Sequence, residues 1–246
     1  MWIIYLQTAI SAFFASFLSS TLTYPIYTFY TRSVSKYNVP NISMYSSFLH
    51  HLSNGISNIY AGYIMYLIST VFSQTIYYYF YSLFSYSSLS YIHPSFLAAI
   101  LSVLFSTPLW VLNSKLSTSL YSLSYLIYTM RISDYYAGVI PSLILTINPS
   151  ITYILYENLM YIMDEYKFSI IICSFVSKLI ASFLTYPLVY IKVNNQINPY
   201  NIIRKWKKEG IYSLYCGIQT KLIHSLFTFV LLVYFQHIIY ILLQSN

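Results

Sequence analysis

The sequence predicts an all-α membrane protein with six spanning helices. Hydrophobic residues make up 58% of the 246 residues and charged residues only 7%, whereas ordinary soluble domains are about 25% charged. No aspartate or glutamate occurs before Asp134. A water-exposed surface cannot be built from so long a segment without acids and with few bases. Most of the surface is therefore expected to lie in the lipid bilayer.

Six apolar segments are long enough to cross a bilayer, which takes about 20 mostly apolar residues. The predicted spans cover roughly 2–30, 59–84, 92–113, 138–163, 168–192 and 215–243. The loops after the odd-numbered spans contain nine of the 12 basic residues, which predicts that this basic side is the untranslocated or matrix-type side. Short surface helices are expected there, near 42–56, 119–133 and 199–209.

Two sequence landmarks recur three times in the same register. Pro25, Pro108 and Pro187 each close an odd-numbered predicted span. An aromatic residue, a small residue and a glycine open each even-numbered span, at 60–62, 136–138 and 215–217. A proline inside a helix removes one hydrogen bond and kinks the axis. The recurrence predicts three tandem two-helix repeats, at 1–90, 91–166 and 167–246, related by pseudo-threefold symmetry.

The second and third repeats carry a resemblance to a known family. Residues 106–116 read Ser-Thr-Pro-Leu-Trp-Val-Leu-Asn-Ser-Lys-Leu, and residues 138–157 include Gly138, Pro141, Asn148 and Glu157. With these motifs the chain resembles the mitochondrial carrier family (solute carrier family 25) over nearly its whole length. Within that family it looks most like the peroxisomal adenine-nucleotide and cofactor carriers. The resemblance implies a six-helix carrier barrel.

The gate motifs depart from the family pattern. In the family, an acid and a base after each odd-helix proline form the ion pairs that close the matrix side. Here the acid positions hold Tyr27, Trp110 and Val189, while only Lys192 retains the base. Either tyrosine and polar contacts close the gates, or the chain does not transport. The positions that the resemblance assigns to gates and kinks are Pro25, Pro108, Pro187, Lys192, Glu157, Trp110 and Asn113.

Two lysines inside predicted spans indicate where a substrate could bind. A lysine at membrane depth costs about 3 kcal/mol or more unless it faces a partner or water. In a water-filled interior, Lys178 and Lys221 would supply positive charge for a phosphate; the alternative for Lys221 is snorkelling from the start of its span. Polar side chains follow helical spacing on the even-numbered spans. The predicted substrate-binding residues are Lys178, Lys221, Gln74, Asn148, His224 and Ser225.

The sequence offers no site for enzyme chemistry. His50 and His51 have no acidic or cysteine ligands nearby, and five glycines form no phosphate-binding loop. Cys173 and Cys216 lie in different apolar segments without metal-ligand spacing. No catalytic residue, metal or cofactor is therefore expected. The basic run at 204–208 is interpreted as a surface that binds lipid headgroups, and no nucleic-acid partner is expected.

The resulting prediction is a monomeric carrier in the peroxisomal membrane or the mitochondrial inner membrane. The resemblance implies exchange of an anionic small molecule, an adenine nucleotide or nucleotide-like cofactor, by alternating access. Two alternatives stay open. One is a carrier-fold membrane protein without transport activity. The other is a carrier of folate, flavin or a pyrimidine nucleotide.

Overall fold

The computed structural model describes residues 2–35, 48–49, 52–53, 55–86, 94–118, 122–163, 167–197 and 210–244. Within these ranges all regular secondary structure is helical, as the sequence predicts. Ten helices are assigned: α1 Trp2–Ser35, α2 Ile56–Ile59, α3 Tyr63–Tyr86, α4 Pro94–Thr118, α5 Leu123–Thr129, α6 Ile132–Tyr135, α7 Val139–Ile144, α8 Asn148–Met163, α9 Lys167–Ile197 and α10 Ile218–Gln244. Two 3₁₀ turns, Leu145–Ile147 and Ile211–Tyr215, complete the described helical structure.

Five apolar segments in the described residues are long enough to span a membrane. They are Ile56–Phe84, Pro94–Thr118, Ile132–Ile162, Ile172–Ile197 and Ile211–Ile239. Helix α1 has 34 residues, which corresponds to about 51 Å of helix. It is therefore also long enough to cross, and its first half is mostly apolar in sequence. The order of long helices agrees with the predicted spans.

The three prolines lie inside their helices and do not end them. Helices α1, α4 and α9 each continue for ten residues beyond their proline, to Ser35, Thr118 and Ile197. The predicted spans ended at residues 30, 113 and 192, so each of these helices runs five residues further than predicted. Proline removes one backbone donor, while the following residues keep theirs, and lipid favours the helix because it pairs every other backbone group. The kinks at these positions remain a prediction.

A tyrosine hydroxyl satisfies one carbonyl that a proline leaves open. Pro25 has no N–H to donate to the carbonyl of Thr21, four residues earlier. The Tyr60 hydroxyl donates to that oxygen at 3.2 Å. The Tyr60 ring also stacks on Tyr24, with centroids 5.9 Å apart. The first of the aromatic landmarks at the even-numbered spans thus repairs the backbone at the first proline.

The surface helices can be compared with prediction at one of three places. Helices α5 and α6 lie within the predicted segment 119–133 or at its end, so the helix predicted there is present, while its location at the membrane surface stays a prediction. Its start is capped by the Ser122 hydroxyl, and the Asp134 carboxylate accepts from the backbone N–H of Arg131 at 3.0 Å. The segment 199–209 lies outside the described residues, and so does most of 42–56.

The chain forms two compact units. The first unit comprises Met1–Tyr30, Pro40–Tyr60 and Gln219–Asn246. The second unit comprises Thr31–Val39 and Ala61–Ile218. This division follows packing contacts and does not test the predicted repeats at 1–90, 91–166 and 167–246, which remain a prediction.

Similar contacts nevertheless recur at equivalent positions in the three proline helices. Two residues before each proline, a buried hydroxyl donates to the carbonyl one turn earlier. The donors and acceptors are Thr23 and Ser19 at 2.8 Å, Ser106 and Ser102 at 2.6 Å, and Thr185 and Ala181 at 2.8 Å.

A glycine with positive φ precedes α3, α7 and α10, the helices that begin the even-numbered predicted spans. Gly62, Gly138 and Gly217 have φ of 81°, 79° and 81°. At Gly138 a side chain is excluded on two grounds: the left-handed backbone disfavours it, and a Cβ would lie 2.9 Å from the carbonyl oxygen of Lys192. The start of α7 is therefore packed directly against the backbone of α9.

Candidate functional site

In the first unit, α1 and α10 are joined by a ladder of three polar or aromatic contacts. Each step moves about one turn forward along α10 and one turn back along α1, so the two helices run antiparallel. The steps are Lys221 Nζ over the Tyr30 ring at 5.3 Å, the His224 and Tyr27 rings at 5.7 Å, and the hydrogen bond from Thr228 Oγ1 to Thr23 Oγ1 at 3.1 Å.

The ladder places a cation and an imidazole on one face of an apolar helix. Lys221 is half-buried, and its contact with Tyr30 is a cation–π interaction, which contributes about 0.5–1 kcal/mol at exposed sites and more when desolvated. His224 is only 7% exposed. Ser225 lies beside it and is half-buried. Three of the six predicted substrate residues are thus neighbours on one turn of α10.

The other three predicted substrate residues belong to the second unit. Gln74 on α3 and Lys178 on α9 are exposed. Asn148 begins α8, where its Nδ2 donates to Thr185 Oγ1 at 2.7 Å. Its Oδ1 and its backbone carbonyl share the hydroxyl proton of Thr152, at 3.3 and 3.0 Å. The amide of Asn148 therefore joins α8 to α9, a structural role that the sequence did not predict.

The hydroxyl groups of the predicted polar stripes are largely occupied by their own helices. Thr70 donates to the carbonyl of Tyr66 at 2.8 Å, and the single hydroxyl proton of Thr228 is shared between the carbonyl of His224 at 2.7 Å and Thr23 Oγ1 at 3.1 Å. Thr146 and Thr152 do the same on the fourth predicted span. A hydroxyl has one proton to donate, so these groups can only accept from a ligand.

The ends of the three proline helices within the second unit form a buried polar cluster, here named the helix-end cluster. It consists of residues 31–35 of α1, 110–118 of α4 and 189–197 of α9. Its buried polar side chains are Thr31, Asn113, Ser114, Ser117, Asn194 and Gln196. Of these six side chains, only Asn113 was predicted from the sequence. Polar residues occur throughout the chain, and their burial has no signature in the sequence.

Hydrogen bonds connect the three helices within this cluster. Arg32 Nε donates to the carbonyl oxygen of Ser117 at 2.8 Å, which joins α1 to α4. Ser114 Oγ donates to Gln196 Oε1 at 2.7 Å, which joins α4 to α9. Both bonds are formed beyond the prolines, in the helical turns that the sequence had assigned to loops.

A lysine–tryptophan contact completes the helix-end cluster. Lys192 Nζ lies 5.9 Å from the centre of the Trp110 ring, and Tyr66 meets the same ring edge-on at 5.8 Å. Lys192 forms no ion pair with either of the two described carboxylates, Asp134 and Glu157, and Glu157 is exposed on α8. Two gate positions that are 82 residues apart in the sequence are thus neighbours.

The structure describes the remaining gate residues as parts of helices. Asn113 is fully buried on α4, and Pro25, Pro108 and Pro187 are half-buried inside α1, α4 and α9. Among the described residues, no group of three histidine, cysteine or acidic side chains could hold a metal ion.

Comparisons with known proteins found three relatives of this chain. The mouse (Mus musculus) peroxisomal membrane protein PMP34 is 26% identical over 172 residues, which cover 54% of this chain and 56% of the relative. Mitochondrial substrate carrier family protein Q of Dictyostelium discoideum is 26% identical over 158 residues, 52% and 48% of the two chains. The peroxisomal nicotinamide adenine dinucleotide carrier of Arabidopsis thaliana is 27% identical over 118 residues, 38% and 36%.

The chain spans about half the length of the first two curated relatives it matches, and about a third of the third. No protein-family model matches the sequence. None of the three relatives is named as an enzyme.

Proposed function

We propose that this chain, a divergent member of the mitochondrial carrier family, exchanges adenine nucleotides or nucleotide-like cofactors across an organelle membrane. It is an integral membrane protein of the peroxisome or the mitochondrion, and a carrier, not an enzyme. The nucleotide substrate, the exchange mode and a monomeric state are parts of the proposal. The Arabidopsis relative, named as a nicotinamide adenine dinucleotide carrier, supports a substrate of this class.

The observation that carries the proposal is the pairing of Lys221 and His224 on one face of α10. The surrounding span is strongly apolar, and a cation there is costly unless it serves a partner or a watery path. The contact with Tyr30 keeps Lys221 in place without neutralising its charge. An anionic solute moving along this face would meet a positive charge and a buried imidazole one turn apart.

The proposed roles follow from the chemistry of each side chain. Lys221 and Lys178 supply positive charge, because lysine binds phosphate as a compact point charge. Gln74, His224 and Ser225 hydrogen-bond to a base or ribose. Asn148 acts differently in this proposal, since its donor is engaged with Thr185: it holds α8 in position beside the path.

Liposomes test this proposal directly. Purified protein is reconstituted with internal ATP, and uptake of labelled AMP, ADP, ATP, coenzyme A, flavin and nicotinamide cofactors is measured. Lys221→Gln and Lys178→Gln are each expected to lower anion exchange by about tenfold, the loss that removing one hydrogen bond to a charged group produces. The loss is expected to be larger for ATP than for AMP. Lys167→Gln, outside the apolar part of α9, is the matched control.

Two outcomes would reject parts of the proposal. Wild-type rates in a correctly inserted Lys178→Gln, Lys221→Gln double variant would rule out these lysines as the anion contacts. If the wild-type protein moves no solute of the panel while a control carrier works in the same liposomes, the non-transporting alternative becomes the better description. The absence of a carboxylate partner for Lys192 among the described residues is the observation that favours that alternative.

A further inference from the structure

In the helix-end cluster, the cation Lys192 shares a helix face with a buried glutamine that has an unpaired hydrogen-bond donor within the described part of the chain. Lys192 and Gln196 are four residues apart on α9 and therefore lie on the same face of the helix. Gln196 is only 2% exposed, and its Nε2 has no hydrogen-bond partner among the described residues. Its Oε1 accepts from Ser114. A buried donor that is left unsatisfied is costly, so its presence beside a cation calls for an explanation.

The charge of Lys192 is held by an aromatic face alone. Among the described residues, Trp110 is the one ring, ionic or hydrogen-bonding partner of its ammonium. A cation–π contact at the outer end of its range is weak, and it leaves the positive charge uncompensated. A phosphate oxygen would bind the same ammonium more strongly, because the interaction is between full charges.

Neighbouring residues hold the Lys192 backbone and the Trp110 ring in place, but not the Lys192 side chain. The carbonyl of Lys192 is packed against Gly138, where even a Cβ would approach to 2.9 Å. Tyr66 packs edge-on against Trp110. The long, flexible side chain of Lys192 is therefore the part that can move, from the tryptophan ring toward an anion near Gln196.

We propose that Lys192 and Gln196 form an anion-binding site, and that Trp110 holds the Lys192 ammonium until an anionic group of the substrate takes it. This inference rests on the proposed function for the identity of the anion, a phosphate of a nucleotide or nucleotide-like cofactor. It adds a second place of anion contact, in the helix-end cluster, beyond the proposed residues of the spans. The chain segments that follow these helix ends carry six of the 12 basic residues, which attract anions to this side.

Tryptophan fluorescence can observe the exchange of partners without any transport assay. The chain has three tryptophans, so Trp2→Phe and Trp206→Phe leave Trp110 as the single emitter. Titration with inorganic pyrophosphate is expected to change the Trp110 emission saturably, because the ammonium leaves the ring. Adenosine, and chloride at equal ionic strength, are expected to have no effect.

Substitutions then assign the response to residues. Lys192→Met is expected to abolish it, Lys192→Arg to preserve it, and Gln196→Leu to raise the pyrophosphate midpoint by about tenfold. Lys167→Met, which removes the lysine at the opposite end of α9, is the matched control and should respond as the parent does. Lys192→Arg also keeps the test decisive if Lys192→Met fails to fold.

The outcomes separate this inference from the proposed function. An unchanged response in Lys192→Met, or an equal response to chloride, overturns the anion site. Nucleotide exchange in liposomes without any Trp110 response also overturns it, while leaving the proposed function intact. A response that requires Lys192 in a protein that exchanges no nucleotide supports the site and rejects the proposed function.

Discussion

Two lysine–aromatic contacts with similar geometry occur in different surroundings. In the first unit, Lys221 lies 5.3 Å from the Tyr30 ring. In the second unit, Lys192 lies 5.9 Å from the Trp110 ring. Lys221 belongs to a ladder of contacts that continues along the apolar length of α10 through His224. Lys192 lies near the end of α9, among buried amides and hydroxyls.

A lysine–ring contact alone therefore does not determine what the lysine does. Both rings hold a cation without neutralising it. What differs is the next residue on the same helix face: a histidine three residues after Lys221, and a glutamine with an open donor four residues after Lys192. In our proposals the first lysine accompanies the solute along a span, and the second meets it at the helix ends.

The largest expected effect comes from breaking the backbone support of Lys192. Gly138→Ala forces a side chain into the left-handed region and against the carbonyl of Lys192. We expect a loss of about 3 kcal/mol in the free energy of unfolding, from backbone strain plus overpacking. Thermal unfolding of purified protein in detergent measures this.

Gly55→Ala is the matched control for this experiment. Gly55 also has positive φ, at 88°, but a Cβ there would meet nothing within 4 Å. Its ψ of 155° puts it in a region that glycine alone adopts readily, so Gly55→Ala should lose about 2 kcal/mol from backbone strain alone, less than Gly138→Ala loses from strain and packing together. Equal losses in the two variants would show that the contact with Lys192 contributes nothing.

A smaller effect is expected when each aromatic ring is removed. Two double-mutant cycles measure this effect. One combines Trp110→Leu with Lys192→Met, and the other combines Tyr30→Leu with Lys221→Met. We expect a coupling energy of about 1 kcal/mol in each cycle, the usual size of a cation–π contact. Thermal unfolding of the four proteins of each cycle gives the value.

Repeating the two cycles with pyrophosphate tests whether the two contacts differ. It should remove the coupling of Trp110 with Lys192 if that lysine changes partner. A coupling that stays the same with saturating pyrophosphate would mean that Lys192 remains on the ring.

The smallest effect is expected from a single hydroxyl of the second unit. The Tyr186 hydroxyl donates to the carbonyl of Cys216 at 2.6 Å, beside Gly217. Tyr186→Phe should cost about 1 kcal/mol, the net value of one hydrogen bond.

Tyr215→Phe is the control, because its ring stacks on Tyr186 and its ring contact survives the change. The same unfolding assay should show Tyr215→Phe within about 0.5 kcal/mol of the parent; a Tyr186→Phe loss no larger than this would contradict the prediction.

Composition and two recurring landmarks were enough to predict the helical membrane fold, and the resemblance of residues 106–116 and 138–157 to a known family indicated its relatives. The absence of acids before Asp134 excluded a soluble surface, and the prolines and glycines recurred in register. The ends of these helices were predicted too early: α1, α4 and α9 continue ten residues beyond their prolines, and the prediction gave five. Proline weakens a helix by one hydrogen bond, and the sequence alone does not show whether the following turns gain enough packing to compensate.

The site was harder to predict because its contacts are distant in sequence. The loss of the family's ion pairs was visible, since Tyr27, Trp110 and Val189 replace the acids. The meeting of Trp110 with Lys192 was not visible, because no spacing rule links residues 82 positions apart. The structural role of Asn148 was missed for the same reason: its partner, Thr185, lies on another helix.

The hydroxyl bonds within single helices have a consequence for how the chain enters a membrane. On α3, the side chains of Ser69, Thr70 and Thr75 each donate to a carbonyl of their own helix. Such a segment brings its own acceptors and needs no neighbour to satisfy these groups. It can therefore enter the bilayer alone, before it packs against other helices. Helix α8 differs, because the amide of Asn148 finds its acceptor only on α9, so biogenesis should favour the release of these two consecutive helices as a pair.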